Sequence, residues 1–258
     1  MITDSFSTAS EPVISREAIF GPQRHLVDVC VVTFSDVIFQ SVMETYACEQ
    51  IAQIRACNGI RPIYAFEHQG RKIGCYLSSI SSAAAATDLL EVNWLTGASR
   101  FIVFGSCGCL DREKTRGRYI LPTAAYRDEG MSYHYAPPAD YIAMPGAETT
   151  ARCFNGLGIP YVPGKVWTTD AFYRELRHQM EARKKEGCLA VDMEAAGIQA
   201  VCDHHGLKLY YFLAPGDVLD LPEWDVGGLR EANHCLDNFR IALALAESLD
   251  ASAPGEGS

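Results

Sequence analysis

The chain contains no apolar run approaching the ~18 residues that a membrane-spanning helix needs, and no membrane partner is expected. Residues 1–12 are polar and lack the continuous apolar core of a secretory signal, so a cytoplasmic location is expected. Positive charge is scarce: 22 Lys and Arg stand against 32 Asp and Glu, a net charge of −10. A general nucleic-acid binder usually shows a basic face, and that class is set aside. A small ligand held by a few local groups is not. Cysteine is plentiful, at ten residues, but short paired spacings are missing. Thiols scattered through apolar segments read as reduced and buried. Cys107 and Cys109 form one close pair with no matching Cys or His set elsewhere, so no metal site is expected. Internal repeats and linker-like stretches are also missing. The expected organisation is an N-terminal extension (1–24), one domain (25–250) and a small, polar, Gly/Pro-rich disordered tail (251–258).

What is there is an alternation of short apolar segments and helical periodicities. Residues 27–34, 72–77, 101–104, 118–121, 165–168, 188–191 and 208–213 read as buried strands. Between them, residues 37–57, 82–96, 147–157, 172–185, 193–205 and 228–246 carry helical spacing. Such alternation predicts one layered α/β domain. In open α/β sheets ligands bind beyond the carboxyl ends of the strands, so polar clusters at strand ends are the candidate site.

Five clusters fall there or nearby. Asp192-Met193-Glu194 opens a small-residue helical pattern; carboxylates at that point either cap the helix or accept hydrogen bonds from vicinal sugar hydroxyls. Met193 between them can lie against the apolar face of a sugar. Gly105-Ser106-Cys107-Gly108 is a turn with exposed N–H groups and a hydroxyl, suited to an anion or a nucleophile, or simply to closing a strand. Residues 126–138, with Arg127 and His134, are too polar for a core strand and too rich in aromatic and cationic groups for a passive linker. Thr169-Asp170 beside Phe172 is either an N-cap or part of a base site, with Phe172 offering a flat face to a heterocycle. Asp217 follows an apolar strand and is placed for proton transfer.

Taken in order, these clusters resemble the nucleoside phosphorylase family, which includes uridine phosphorylase, the hexameric purine nucleoside phosphorylases and the methylthioadenosine/S-adenosylhomocysteine nucleosidases. The resemblance runs from about residue 27 to 249. It rests on Gly-Ser-Cys-Gly, Arg-Asp-Glu-Gly-x-Ser-Tyr-His-Tyr, Thr-Thr-Asp-Ala-Phe-Tyr and Asp-Met-Glu-Ala-Ala-Gly. It implies a three-layer α/β/α sandwich around a mixed, partly barrel-like sheet, and homodimers or hexamers built as trimers of dimers. It also implies that Glu194 and Met193 bind ribose, with Asp192 in support, and that Phe172, with Thr169 and Asp170, faces the base. By the same resemblance Ser106 and Gly105 touch phosphate or water, Arg61 reaches a neighbour's phosphate site and Arg127 contributes nearby. Asp217 matches the acid that protonates the leaving base, and His134 belongs to a loop completed by a partner.

Two phosphate arginines of the phosphorylases are absent: Phe39 stands near the place of one and Val103 in the place of the other. Each lost charge-assisted hydrogen bond weakens binding by about 1.5–3 kcal/mol, so two remove roughly two to four decades of phosphate affinity. The glutamine and arginine that read uracil in the uridine enzymes are replaced by Leu176 and His178. The expectation is therefore an enzyme that cleaves the N-glycosidic bond of a small-molecule nucleoside, leaning to hydrolysis and using no cofactor. The alternatives are phosphorolysis of a uridine or purine nucleoside, with inorganic phosphate as co-substrate, and a non-catalytic nucleoside-binding protein.

Overall fold

Three strands show how the core is laid out, because their residues alternate between two apolar layers. Val29 and Val31 of one strand, Ile102 and Phe104 of a second and Phe212 of a third point into a layer with Ile38, Phe154, Phe239 and Ala242. Their neighbours Cys30, Val32, Phe101, Val103, Tyr211 and Leu213 point the other way, against Ala85, Leu89, Ala196 and Ile198. Side chains alternate faces along a strand, so a continuous apolar run here means a sheet buried on both sides.

The computed structural model describes residues 1–9 and 11–249. The strands are β1 (Val29–Thr33), β2 (Glu49–Ala56), β3 (Gly59–His68), β4 (Arg71–Leu77), β5 (Arg100–Cys109), β6 (Tyr119–Asp128), β7 (Tyr141–Ala143), β8 (Tyr161–Thr169), β9 (Cys188–Asp192) and β10 (Lys208–Val218). The helices are α1 (Arg16–Phe20), α2 (Asp36–Thr45), α3 (Ser82–Thr96), α4 (Arg112–Thr115), α5 (Ser132–Tyr135), α6 (Gly146–Leu157), α7 (Arg177–Lys185), α8 (Ala195–His204), α9 (Leu229–His234) and α10 (Leu236–Ser248). Helices α3 and α8 cover one face and α2, α6 and α10 the other, which gives the expected α/β/α sandwich.

The sheet is mixed, and part of it closes on itself. β5 pairs with β10, β10 with β6, β6 with β8, β8 with β9, and β9 returns to β5, making a ring of five strands. β1, β4, β3 and β2 extend the sheet outward from β5, and β7 borders β6. Along the β5–β10 pair the register slips by one residue: Pro215 faces Cys107 but Val218 faces Cys109. That bulge carries Gly216 and Asp217, and bulges of this type re-aim a side chain.

All seven expected strands are present, several of them longer than their apolar stretch. The expected helix over 37–57 is corrected: α2 ends at Thr45 and β2 begins at Glu49. β2 and β3 form a hairpin whose two-residue loop is Cys57-Asn58, with Ala56 paired to Gly59. The helix over 228–246 splits at Cys235, whose extended backbone separates α9 from α10, and that over 172–185 begins as a short 3-10 turn before α7. The N-terminal segment is docked. Arg16 donates to Asn93 Oδ1 at 3.1 Å and lies over the Trp94 ring, while Trp94 Nε1 donates to Gly21 O. The expected tail over 251–258 lies outside the described residues. Among the described residues, no helix is long and apolar enough to cross a membrane.

Candidate active site

The carboxyl ends of β1, β5, β9 and β10 converge on a cavity of about 400 Å³. Gly105, Ser106, Phe172, Asp192, Met193, Glu194 and Asp217 all line it.

The β9–α8 turn is held by Asp192. Its carboxylate accepts from Ala195 N (2.7 Å), Glu194 N (3.2 Å), Thr168 Oγ1 (2.7 Å) and Tyr211 OH (3.2 Å). Four protein donors occupy this carboxylate, so Asp192 borders the cavity as the group that positions the turn rather than as a sugar ligand. Burial pushes its proton affinity up, and the four donors oppose that shift. Met193 O accepts from Ser82 Oγ at 3.0 Å, which ties the turn to α3. α3 and α8 run close enough that a Cβ on Gly197 would sit 2.7 Å from Ser82 Cβ. The Glu-Ala-Ala-Gly pattern is thus a packing requirement behind the site.

Glu194 is 7% exposed, and its Oε1 accepts from Ser81 N at 2.8 Å. Ser81 has φ of 85°, an uncommon conformation for a non-glycine residue. Burial, and next the neighbouring Asp192, push Glu194 up to about 8; the Ser81 and Met193 N–H groups act against them. The unloaded site therefore holds a proton on Glu194 at neutral pH. Sugar hydroxyls bonding to the charged form would draw that proton off.

Asp217 is 6% exposed and its Oδ2 accepts from Trp224 Nε1 at 2.7 Å. The bulge brings it against β5, where a Cβ on Gly108 would lie 2.4 Å from Leu219 Cδ1 and 3.5 Å from Asp217 Oδ1. Gly108 keeps that space open from within β5, since residues 105–108 continue the strand instead of forming the expected turn. Glu175, unnoticed in the sequence, joins Asp217 on the cavity wall. Burial, then the Asp217 charge, raises Glu175 to about 7. Phe172, 40% exposed, faces the same end. Beyond it a second cavity of about 300 Å³ shares Phe172, Glu175 and Asp217 and adds Tyr173, Arg177, Met180, Leu219, Leu221 and Trp224.

The opposite end presents two hydroxyls, an amide and an imidazole. Ser106 Oγ donates to Asn233 Oδ1 at 2.6 Å, and Ser35 Oγ lies 2.8 Å from His234 Nδ1. Among the described residues lining the cavity there is no arginine or lysine. Phe39 and Val103 are buried in the two apolar layers and supply nothing to the site.

Five expected site residues lie outside the cavity wall. Arg127, 3% exposed, belongs to β6 rather than to an exposed loop. Its guanidinium donates to Ser132 Oγ (2.8 Å), Pro137 O (2.6 Å) and Ala136 O (3.3 Å) and lies over the Tyr133 ring. These contacts close the 126–138 segment and leave no reach toward an anion. Arg61, on β3, is paired with Asp88 of its own chain. Thr169 Oγ1 accepts from Ala171 N, and Asp170 Oδ1 from Ser82 N at the start of α3, so both act as backbone caps. His134 is exposed on α5. Asn233, His234 and Ser35 have no motif to announce them; they meet the site only through contacts 127 and 199 residues apart in sequence.

Known proteins share both the sequence pattern and the fold. The chain is 26% identical over 184 residues to a purine nucleoside phosphorylase (DeoD-type) of Bacillus subtilis strain 168, covering 68% of this chain and 76% of that protein. It is 27% identical over 212 residues to the DeoD-type purine nucleoside phosphorylase of Jannaschia sp. strain CCS1, covering 79% and 89%. The crystal structure of AMP nucleosidase from Bacteroides thetaiotaomicron VPI-5482 superposes with a TM-score of 0.67 at 20% identity, over 86% of this chain and 88% of that one, and so shares its fold. The sequence profile of the phosphorylase superfamily matches residues 29–240, from the first strand of the sheet to the last helix. The chain belongs to the phosphorylase superfamily.

Proposed function

We propose that the protein cleaves the N-glycosidic bond of a nucleoside, with water as the attacking group. The observation that carries this reading is the composition of one cavity. Glu194, Met193, Phe172 and Asp217 line it together, and no arginine or lysine among the described residues joins them. Glu194 accepts from the 2′- and 3′-hydroxyls, Met193 lies under the sugar and Phe172 packs on the base. As the bond breaks, positive charge grows on the sugar and negative charge on the base. Asp217 donates a proton to the base; Glu175 beside it, raised to about 7 by burial and then by the Asp217 charge, is the neighbouring proton reserve. A purine fits an acid placed to protonate a ring nitrogen, and it is the base named for the relatives above.

The reaction needs no cofactor in this reading. Phosphorolysis is the second reading, favoured by the polar groups of Ser35, Ser106, Asn233 and His234 at the nucleophile end. Base release from a purine nucleoside panel, with phosphate removed and then restored, separates the two. Hydrolysis predicts free pentose and an unchanged rate. Strict phosphate dependence with a pentose 1-phosphate product would overturn it. Ligand binding without any base release would identify a binding protein instead. A homodimer or a trimer of dimers is the proposed assembly, checked by sedimentation.

A further inference from the structure

The nucleophile end of the cavity is assembled by α9. The last two residues of that helix, Asn233 and His234, each reach a serine at the end of a strand: Ser106 in β5 and Ser35 just after β1. Ser35 is itself fixed. Its Oγ accepts from Ile38 N at 3.1 Å as the N-cap of α2, and its own N donates to Thr33 Oγ1. With one lone pair given to Ile38, the hydroxyl oxygen retains a second that can accept from an imidazole N–H. In that arrangement Nδ1 of His234 carries the ring proton and Nε2 is left as a basic nitrogen. The side chain borders the cavity, so Nε2 is its remaining polar atom for a ligand there. A base whose orientation is set by a third group is a recurrent catalytic arrangement.

We propose that His234, oriented by Ser35, is the general base for the attacking water. This rests on the hydrolytic reading above. The water oxygen bonds to C1′ while the C1′–N bond breaks, and the bonding pair leaves with the base. The proton lost by the water passes to His234 Nε2, and the base takes its proton from Asp217. Once products leave, His234 gives its proton to solvent and Asp217 recovers one, so that one water is consumed per turnover. Asn233 and Ser106 hold the water on its other side.

The test is base release by H234A, H234Q and S35A in phosphate-free buffer, with and without azide. Azide is an anion and needs no base to attack C1′. H234A and H234Q are expected to lose about 100-fold or more in kcat, within the range of general-base catalysis, with KM changed less than about threefold. Azide is expected to restore H234A turnover and to give a glycosyl azide. S35A, which keeps the imidazole but frees its orientation, is expected to lose about tenfold. Wild-type kcat in the His234 variants, with D217N and E194Q impaired, would overturn this assignment and leave the hydrolytic reading standing. A slow H234A that azide cannot accelerate would also overturn it, since the defect would then be structural. Release that is strictly phosphate-dependent in the unaltered protein would remove the hydrolytic reading itself.

Discussion

The two ends of the cavity are built on opposite principles. At one end stand four carboxyl groups, Asp192, Glu194, Glu175 and Asp217, all on the cavity wall. Burial has raised the proton affinity of three of them. At the other end are two hydroxyls, an amide and an imidazole, locked in pairs. A cavity with no lining arginine or lysine among the described residues offers a dianionic co-substrate no cationic partner. It tolerates a neutral one. The difference teaches that one end of this cavity is built from buried carboxyls and the other from paired neutral groups, with no cationic side chain among the described lining residues.

The sharpest way to break that contrast is at the acid end. D217N removes the proposed proton donor and is expected to lower kcat by about 10²–10⁴, with nucleoside affinity kept; single-turnover base release and a binding titration together check it. E194Q keeps the shape but weakens two charge-assisted bonds, and kcat/KM is expected to fall by roughly 10–100-fold at ~1.5–3 kcal/mol for such bonds. D192A strikes the scaffold instead. Four donors lose their acceptor, and leaving such groups unsatisfied costs about 1–3 kcal/mol each where they stay dry. Its melting temperature is expected to drop by several degrees, measured by calorimetry, before any kinetic effect is read.

The pH dependence of stability sharpens the comparison further. Glu194 holds its proton in the folded chain up to about 8, against an ordinary value of 4.5, and Glu175 up to about 7. The folded state thus binds more protons than the unfolded one above pH 4.5. Their contribution is fully present below that pH and is lost as the pH rises through 7 and 8, so stability falls across this window. In E194Q the slope flattens in urea titrations at several pH values. The same carboxyl predicts that nucleoside binding at pH 7 releases a fraction of a proton, seen as a buffer-dependent heat in calorimetry. The smallest effect is expected for S106A, which loses one hydroxyl bond to Asn233 and changes kcat by only a few-fold.

Much of this arrangement is legible in the sequence because it lies at strand ends. Each buried strand of the ring has an apolar core that stands out, and Ser106, Glu194 and Asp217 follow three such cores directly. β2 escaped notice because Ile51, Ala52 and Ile54 fit a helical face as well as a strand edge. Arg127 reads as a surface cation, yet it lies buried because carbonyls nine and ten residues along turn back onto its guanidinium. Glu175 and His234 were hidden for a different reason. Their surroundings come from distant segments, and no local pattern records which strand a short helix will end against.

The bulge in β10 has a consequence for how such an enzyme can change over generations. One extra residue between Pro215 and Val218 sets the direction in which Asp217 points, because side chains alternate faces with a period of two. Losing a single codon there would restore an even ladder with Cys107–Cys109 and flatten the bulge that aims the acid, while the ring of strands keeps its hydrogen bonds. The proposed proton donor is therefore one small deletion away from being mis-aimed in a protein that still folds. A lineage of nucleoside-cleaving enzymes could pass by that step into nucleoside-holding ones without crossing an unfolded ancestor.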